Sequence, residues 1–283
     1  MKTIVRSESK EVIISTDGPV TMIGEKINPT GRKKLAQALR EMDLDYVCEL
    51  ARQQAAAGAD LLDVNVGVPG LDDVALLPEV ARVVAAEVDL PLCIDTASPE
   101  ALAAALPVVP GRPLVNSVNG EEASLSSVLP LVKDRGAAVI GLAMDENGIP
   151  DDAETRAAIA EKIVERAVKI GIPAEDVVID TLVLTVGADA QAGAVTLRTI
   201  ELVRERLGVN INLGATNVSF GLPERHTLNQ AFLALSIKAG ATCMITDAAR
   251  LGLAIRGAEL LLGRDDYAMR YITCFRTQQK SRS

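Results

Sequence analysis

The chain has 283 residues and a net charge of −9; hydrophobic residues make up 48% of it, aromatic residues only 2%, and tryptophan is absent. The acidic balance argues against binding of nucleic acid or of an anionic membrane surface, because phosphate groups attract basic patches. The aliphatic composition is sufficient for a large core and suits a parallel sheet that is buried on both faces.

Residues 1–19 precede any repeated pattern, and we predict that they form an extended segment or hairpin that closes one end of the domain. The opening run MKTIVRSESKEVIIS carries charges where a signal peptide needs an apolar core. Because no apolar run reaches the ~18 residues that a membrane helix requires, we expect no membrane span and a cytoplasmic location.

From residue 20 onward one pattern recurs: an alanine-rich stretch ends in glycine, and an apolar run follows at once. It occurs at Gly58, Gly136, Gly171 and Gly240. A glycine after a helix supplies the left-handed C-cap, and the next strand begins within a few residues. The predicted strands are residues 20–24, 61–65, 92–95, 114–116, 138–142, 177–180, 211–214 and 243–246. The predicted helices are residues 33–57, 72–87, 98–105, 121–135, 152–170, 191–207, 227–239 and 248–263.

Eight alternating units without a break in composition predict one closed (β/α)8 barrel, a TIM barrel, over residues 20–275. The alternative is a doubly wound open sheet, which would place a glycine-rich phosphate turn after the first strand, and GEKINPTG does not fit GxGxxG. Residues 276–283 form a polar tail that we expect to be frayed. The four cysteines are far apart in the sequence, and no CxxC motif occurs. We therefore predict that they are reduced, buried thiols.

Polar residues follow the ends of most predicted strands, where the active site of such a barrel is built. They are Glu25, Asn28, Asp63, Asn65, Asp95, Asn116, Asn119, Asp180, Thr216, Asn217 and Asp247. Asp and Asn also cap helices, but several of the following helices have candidate caps of their own, such as Ser98 and Asp151. We call these residues the polar ring. Buried carboxylates and amides need partners, so the polar ring predicts a ligand rich in N–H and C=O groups.

Other uses of these residues are open. The only histidine, His226, leaves no histidine metal triad and no obvious Ser-His-Asp arrangement, and it is interpreted as a surface residue. Asp95 and Asp180 would suit a glycosidase pair, although barrel glycosidases usually line their clefts with aromatic residues. Together with Asp63 the same two carboxylates would suit a metal ion. Recognition of a guanidine-like ligand edge fits better, and we predict no bound metal.

Six runs occur in order along residues 20–275 and together are specific. They are GEKINPTGRKK (24–34), ARQQAAAGADLLDVNVG (51–67), LCIDT (92–96), VNSVN (115–119), VIDTLVL (178–184) and ATNVSFGLPERHTLNQAFL (215–233). The chain thereby resembles the pterin-binding methyltransferases, which act on methyltetrahydrofolate and corrinoid proteins and include the folate domain of cobalamin-dependent methionine synthase. The resemblance implies a dihydropteroate-synthase-like barrel.

The resemblance also implies roles for individual residues. Asp95, Asn116 and Asp180 would hold the pterin ring, and Asn217 would act in catalysis by hydrogen bonding near N5, the atom that bears the methyl group. Pocket-lining roles are expected for Asp63, Asn65, Glu25 and Asn119. Candidates for the anionic glutamate tail of folate are Lys26, Arg32 and Arg225.

In the family, the methyl group moves between tetrahydrofolate and the cobalt of a separate corrinoid (cobalamin) protein. No side chain need attack, which agrees with the missing nucleophilic triad. We therefore expect a corrinoid-protein partner, a folate substrate, and a homodimer. Two rival hypotheses remain, a dihydropteroate-synthase-like condensation enzyme and a non-catalytic folate-binding subunit.

Overall fold

The structure is a computed structural model that describes residues 1–280, with side chains described to residue 279. Its strands are β1 (Lys2–Arg6), β2 (Glu11–Ser15), β3 (Thr21–Ile27), β4 (Leu61–Val64), β5 (Leu92–Asp95), β6 (Leu114–Asn119), β7 (Ala138–Leu142), β8 (Val177–Asp180), β9 (Asn210–Asn212) and β10 (Cys243–Thr246). Its α-helices are α1 (Lys33–Glu41), α2 (Leu44–Ala56), α3 (Asp73–Glu87), α4 (Pro99–Ala105), α5 (Glu122–Arg135), α6 (Ala153–Lys169), α7 (Ala192–Arg206), α8 (Arg225–Ala239), α9 (Ala248–Leu261) and α10 (Met269–Lys280). In this described part of the chain, no helix combines the length and the apolar character needed to cross a membrane.

Strands β3 to β10 form a parallel barrel in which each strand pairs with the next along the chain and β10 returns to β3. The last gap, between β9 and β10, is closed by Thr242 N donating to Ile211 O at 3.0 Å and Ile245 N donating to Leu213 O at 2.9 Å. The predicted (β/α)8 barrel is therefore confirmed, and the doubly wound alternative is wrong. Strands of this kind bury both faces, as their aliphatic composition indicated.

Successive residues of each barrel strand face opposite sides of the wall. Residues facing outward pack with the helices in the main core; examples are Met22, Leu62, Ile94, Val115 and Ile179. Residues facing inward form a second apolar cluster inside the barrel; among them are Ile23, Leu61, Cys93, Leu114, Val178 and Cys243. Because the side-chain period of a strand is two, the next inward residues toward the carboxyl ends are Glu25, Asp63, Asp95, Asn116, Asp180 and Ile245. The same alternation therefore directs apolar side chains into the amino half of the barrel and most of the polar ring into its carboxyl half.

The hairpin of β1 and β2 closes the amino end of the barrel. Val5 and Ile14 are fully buried and join the interior cluster. The Asn210 side chain donates from Nδ2 to Thr3 Oγ1 and to Ile14 O, both at 2.9 Å. A hairpin is one of the two forms predicted for residues 1–19.

Two of the predicted helices differ from the structure, and α10 was not predicted. The helix predicted over residues 33–57 is split into α1 and α2, because Met42 is left-handed with φ of 55° and Asp43 caps α2 by accepting from Tyr46 N. Ser98 caps α4 as predicted, whereas α6 is capped by Asp152 and not by Asp151. In both corrections a single side-chain or backbone geometry decides where the helix begins.

The first part of the predicted polar tail belongs to a helix. Residues 276–280 continue α10, which packs on α9, and Gln278 Nε2 donates to Ala248 O at 3.3 Å. Residues 281–283 of the predicted tail lie outside the described residues.

The cysteines are free thiols. Cys48, Cys93 and Cys243 are buried and Cys274 is half buried. Burial raises the pKa of the Cys93 thiol well above its usual value, and the nearby Asp63 carboxyl adds to that shift. The three buried thiols therefore behave as small apolar groups of the core, as predicted, whereas Cys274 is not buried as expected.

Candidate functional site at the carboxyl end of the barrel

A cavity of about 390 Å³ opens at the carboxyl end of the barrel. Five of the predicted site residues line it, namely Glu25, Asp63, Asp95, Asn116 and Asn217. Four of them come from or directly border neighbouring strands, β3 to β6, and Asn217 lies in the 3-10 turn after β9. Since parallel strands end at the same rim, residues distant in sequence meet here. We call this space the ring cavity.

Asp63, which is buried, and Asp95, which is half buried, form a carboxyl pair on the wall of the ring cavity. Asn116 Nδ2 donates to Asp63 Oδ1 at 3.2 Å, and Asn28 Nδ2 donates to Asp95 Oδ2 at 3.3 Å. Burial raises the pKa of Asp63 well above its usual range, and repulsion by Asp95 adds to it. Burial also raises the pKa of Asp95, against hydrogen bonds from Asn65 and Asp63. The pair therefore keeps a proton to higher pH than an isolated carboxyl, so it can both donate and accept.

Asp180 is buried at the end of β8 and does not line the ring cavity. Its Oδ1 accepts from Leu182 N at 2.8 Å and its Oδ2 from Asn212 Nδ2 at 2.7 Å. Burial raises the pKa of Asp180 to about 6, although both hydrogen bonds oppose that shift. The carboxyl is thus held in one orientation, and its pKa of about 6 lies above that of an ordinary aspartate.

Asn212 is the partner that sequence reasoning missed. It is fully buried in β9, and its Oδ1 has no hydrogen-bond partner within residues 1–279. Its Nδ2 must face the Asp180 carboxylate, which leaves Oδ1 as an acceptor without a donor. The available signal was the sequence NIN, where amides occupy alternate, inward positions of a strand.

Asn217 projects from the turn Ala215–Ser219 and is exposed. Its amide makes no side-chain hydrogen bond to the described part of the chain. The Nδ2 atom lies only 3.1 Å from where a Cβ on Gly214 would be, so the glycine makes room for this side chain. An amide at the rim with free donors and acceptors is suited to a ligand.

The remaining predicted amides lie beside the ring cavity. Asn65 hydrogen-bonds the Asp95 carboxyl and accepts from Gly67 N at 2.8 Å. Asn119 is engaged with Glu121, accepting from its N–H at 2.9 Å and donating to its Oε1 at 3.0 Å. Asn119 lines an adjoining cavity of about 550 Å³ that shares Asp95 with the ring cavity.

The basic residues considered for an anionic ligand already have partners. Lys26 Nζ is 3.4 Å from Asp247 Oδ2, and Arg32 Nη2 is 3.3 Å from Glu25 Oε1. Burial raises the pKa of Glu25, and the charge of Arg32 opposes that shift. Of these three residues, only Arg225 has no carboxylate partner, because its guanidinium donates to the uncharged oxygens Ser219 Oγ and Thr216 O.

The metal and glycosidase alternatives would need Asp180 to act with Asp95. The hydrogen bonds of Asp180 go instead to Asn212 and Leu182. Over residues 1–279, no group of three or more His, Cys, Asp or Glu side chains is arranged to hold a metal ion. The Asp63–Asp95 pair, bordered by amides, is better suited to reading N–H groups of an organic ligand.

Comparison with known proteins identifies relatives over most of the chain. Residues 24–247 match the family described as pterin binding enzyme. Methylcorrinoid:tetrahydrofolate methyltransferase of Eubacterium limosum is 32% identical over 263 residues, which are 90% of this chain and 96% of that protein. Methionine synthase of Mycobacterium tuberculosis is 32% identical over 248 residues, which are 83% of this chain and 21% of that protein.

Solved structures with the same fold include dihydropteroate synthases. That of Yersinia pestis, with a pterine-sulfa conjugate, has a TM-score of 0.71 at 17% identity and covers 93% of this chain and 99% of its own. That of Xanthomonas albilineans, in complex with 7,8-dihydropteroate, has a TM-score of 0.65 at 22% identity and covers 88% of this chain and 95% of its own. At these identities the likeness establishes the fold alone.

Proposed function

The chain belongs to the family of pterin-binding enzymes, and from this we propose that it is a methyltransferase that moves a methyl group between N5 of tetrahydrofolate and the cobalt of a corrinoid protein. Its 32% identity to a methylcorrinoid:tetrahydrofolate methyltransferase over nearly the full length of both chains supports this reaction. The observation that carries the proposal is the ring cavity, in which the Asp63–Asp95 pair and Asn116 meet below the free amide of Asn217.

The polar wall of the ring cavity suits a pterin. The ring carries a guanidine-like edge of N–H groups beside a carbonyl oxygen, and carboxylates accept such N–H groups in pairs. Asp95 and Asn116 would read this edge, with the Asp63 carboxyl fixing the Asn116 amide at 3.2 Å. Asp180 does not line the ring cavity, so it would contribute only to a pterin that enters more deeply into the barrel, where Asn212 orients its carboxyl at 2.7 Å.

Asn217 would act at the methyl-bearing nitrogen. When Co(I) takes the methyl group, N5 keeps the electron pair of the broken N–CH3 bond and must take up a proton from solvent. A hydrogen bond donated to N5 that strengthens as this negative charge develops would therefore lower the barrier. The free amide of Asn217 at the cavity rim can make that bond without losing an existing one. The corrinoid supplies the cobalt that gives or accepts the methyl group, and it is carried by the partner protein.

The open face above the cavity is where the corrinoid protein would dock. The loops after β3 and β9 border this face and carry Arg32 and Phe220, which line the ring cavity. Transient interfaces of this kind are polar and modest in size. We further propose a homodimer, as the family resemblance implies, and a cytoplasmic location.

The rival condensation chemistry of dihydropteroate synthases receives support from the fold only. Such an enzyme would place a basic Ser-x-Arg motif after the last strand, and here the sequence is TDAARLG. A non-catalytic folate-binding subunit would bind methyltetrahydrofolate and show no turnover with any corrinoid.

The direct test is a spectroscopic assay that mixes the protein with methyltetrahydrofolate and free Co(I) cobalamin. The expected result is conversion to methylcobalamin at a rate proportional to protein concentration. Calorimetric folate binding without methylcobalamin formation, with either free cobalamin or a corrinoid protein, would contradict the proposed reaction and favour the binding subunit.

A further inference from the structure

A second cavity, of about 470 Å³, adjoins the ring cavity at its rim. The two share Glu25, Arg32 and Thr216, so a ligand can extend from one into the other. The second cavity continues beneath the first turns of α8 and α9, where Arg225 and Arg250 line it. We call it the arginine cavity.

Most of the negative charge of the arginine cavity is already paired. Glu25 has Arg32 at 3.3 Å, and Asp247 has Lys26 at 3.4 Å. The remaining acid, Glu224, is exposed immediately before α8. Two of the three carboxylates therefore add no net attraction for a cation.

Its positive charge, in contrast, is largely unpaired. Arg225 donates to Thr216 O at 2.8 Å and to Ser219 Oγ at 3.0 Å, which are both uncharged acceptors. The Arg250 side chain is exposed in the first turn of α9 and makes no ion pair or side-chain hydrogen bond within the described part of the chain. The cavity thus offers two guanidinium groups to an anion, on a chain whose net charge is −9.

We propose that the arginine cavity binds the carboxylates of the glutamate tail of folate, and that the enzyme prefers folates with several γ-linked glutamates. This inference rests on the proposed function, which puts the pterin in the ring cavity. The tail leaves the ring at the open rim, and the shared wall leads it toward Arg225 and Arg250. The arginine cavity has a volume of about 470 Å³ and is open to solvent, so the tail can continue beyond the first glutamate.

Arg250 differs from Lys26 and Arg32, which the sequence suggested, because it has no carboxylate partner. Lys26 and Arg32 are each held by a carboxylate, so a folate carboxylate would have to displace that partner. Arg250 has no partner to lose, and its planar guanidinium can take a carboxylate with two parallel N–H bonds. Arg250 is therefore the residue on which preference for a longer tail would depend most.

The test is calorimetric titration with methyltetrahydrofolate monoglutamate and with its γ-linked triglutamate, on the wild-type chain and on Arg250→Ala, Arg250→Glu and Arg250→Lys. The readout is the ratio of the two dissociation constants. The wild type should bind the triglutamate about three- to tenfold more tightly at low salt. Arg250→Ala should bring the ratio to within about twofold of unity, Arg250→Glu should lower it further, and Arg250→Lys should restore part of it. Arg40→Ala is the matched control, because Arg40 is exposed at the end of α1, away from the cavity.

The outcomes are distinct. A wild-type ratio near unity, or a ratio unchanged in Arg250→Ala, overturns the arginine cavity as a tail site while monoglutamate binding and methyl transfer leave the proposed function standing. If Arg250→Ala keeps the ratio and slows transfer only to a protein-bound corrinoid, Arg250 belongs to a protein-docking surface and the inference is wrong. If neither folate binds, the proposed function fails, and the inference falls with it.

Discussion

The Asn217 side chain is exposed, and its amide makes no side-chain hydrogen bond within the described residues that would stabilise the fold. Replacing it should therefore alter chemistry and leave the fold intact. We expect Asn217→Ala to lower kcat by about a hundredfold or more, by analogy with loss of one transition-state hydrogen bond, while the dissociation constant for methyltetrahydrofolate changes by less than about fivefold.

Single-turnover transfer to free cobalamin and calorimetric folate binding measure the two quantities separately. Asn147→Ala is the control, because Asn147 is an exposed asparagine in the turn after β7. An equal loss of affinity and rate in Asn217→Ala would mean that the amide serves ground-state binding only.

Asp180 makes the stability of the protein depend on pH. Burial raises its pKa to about 6 in the folded chain, whereas an unfolded aspartate titrates near 4. The folded state holds this proton more tightly, so the contribution of Asp180 to the free energy of unfolding is full below about pH 4 and is lost as the pH rises through about 6. Asp180→Asn should remove this loss, which amounts to at most about 3 kcal/mol.

Urea unfolding at about pH 5 and about pH 7.5 tests this sign. The difference between the two pH values should shrink in Asp180→Asn and persist in Asp134→Asn, which removes an exposed carboxyl. A larger decline in Asp180→Asn than in the wild type would contradict the assignment. The same proton matters for binding, since only the ionised carboxyl accepts two N–H groups from a ligand.

At the scale of elements, alternation along the strands decides what each side of the barrel wall does. The hairpin shows the same rule in two adjacent residues of β2. Ile14 is fully buried in the interior cluster, and Ile13 is 41% exposed. The amino end is therefore closed by one face of a hairpin, far from the polar ring at the other end.

We expect Ile14→Ala to lower the free energy of unfolding by about 2–5 kcal/mol, because it leaves a cavity in the barrel interior. Ile13→Ala should change it by less than about 0.5 kcal/mol, as is usual at the surface. Urea unfolding measures both, and folate affinity should stay constant in each. A comparable cost for the two variants would contradict the burial difference between the hairpin faces.

At the scale of the whole molecule, two large side chains that are close in sequence are almost fully exposed. Leu261 and Tyr267 are 89% and 93% exposed near the junction of α9 and α10. Such exposure is compatible with the predicted homodimer. Sedimentation equilibrium should give a species of about twice the 29.8 kDa chain mass. A species of single-chain mass that persists at high protein concentration would contradict this prediction.

Much of the fold and of the candidate site could be predicted from the sequence alone. Apolar runs separated by Gly-terminated helices predicted the barrel, because both signals are local. Strand ends could be read from the same runs, and the motifs at them named Glu25, Asp63, Asp95, Asn116 and Asn217, which one cavity brings together. Element ends were less certain, since a single side chain such as Met42 or Asp152 decides them.

Only the tertiary structure decided which of these residues act as pairs. The Asp63–Asp95 coupling and the Asp180–Asn212 bond join different strands, and their distances exist only once the barrel has closed. Ion pairing is likewise decided by the tertiary structure. The sequence contains an arginine at both 32 and 250, whereas the fold pairs Arg32 with Glu25 and leaves Arg250 unpaired. The physical reason is that pattern reports which face a residue occupies, whereas hydrogen bonds and ion pairs depend on angstrom-scale distances between segments far apart in the chain.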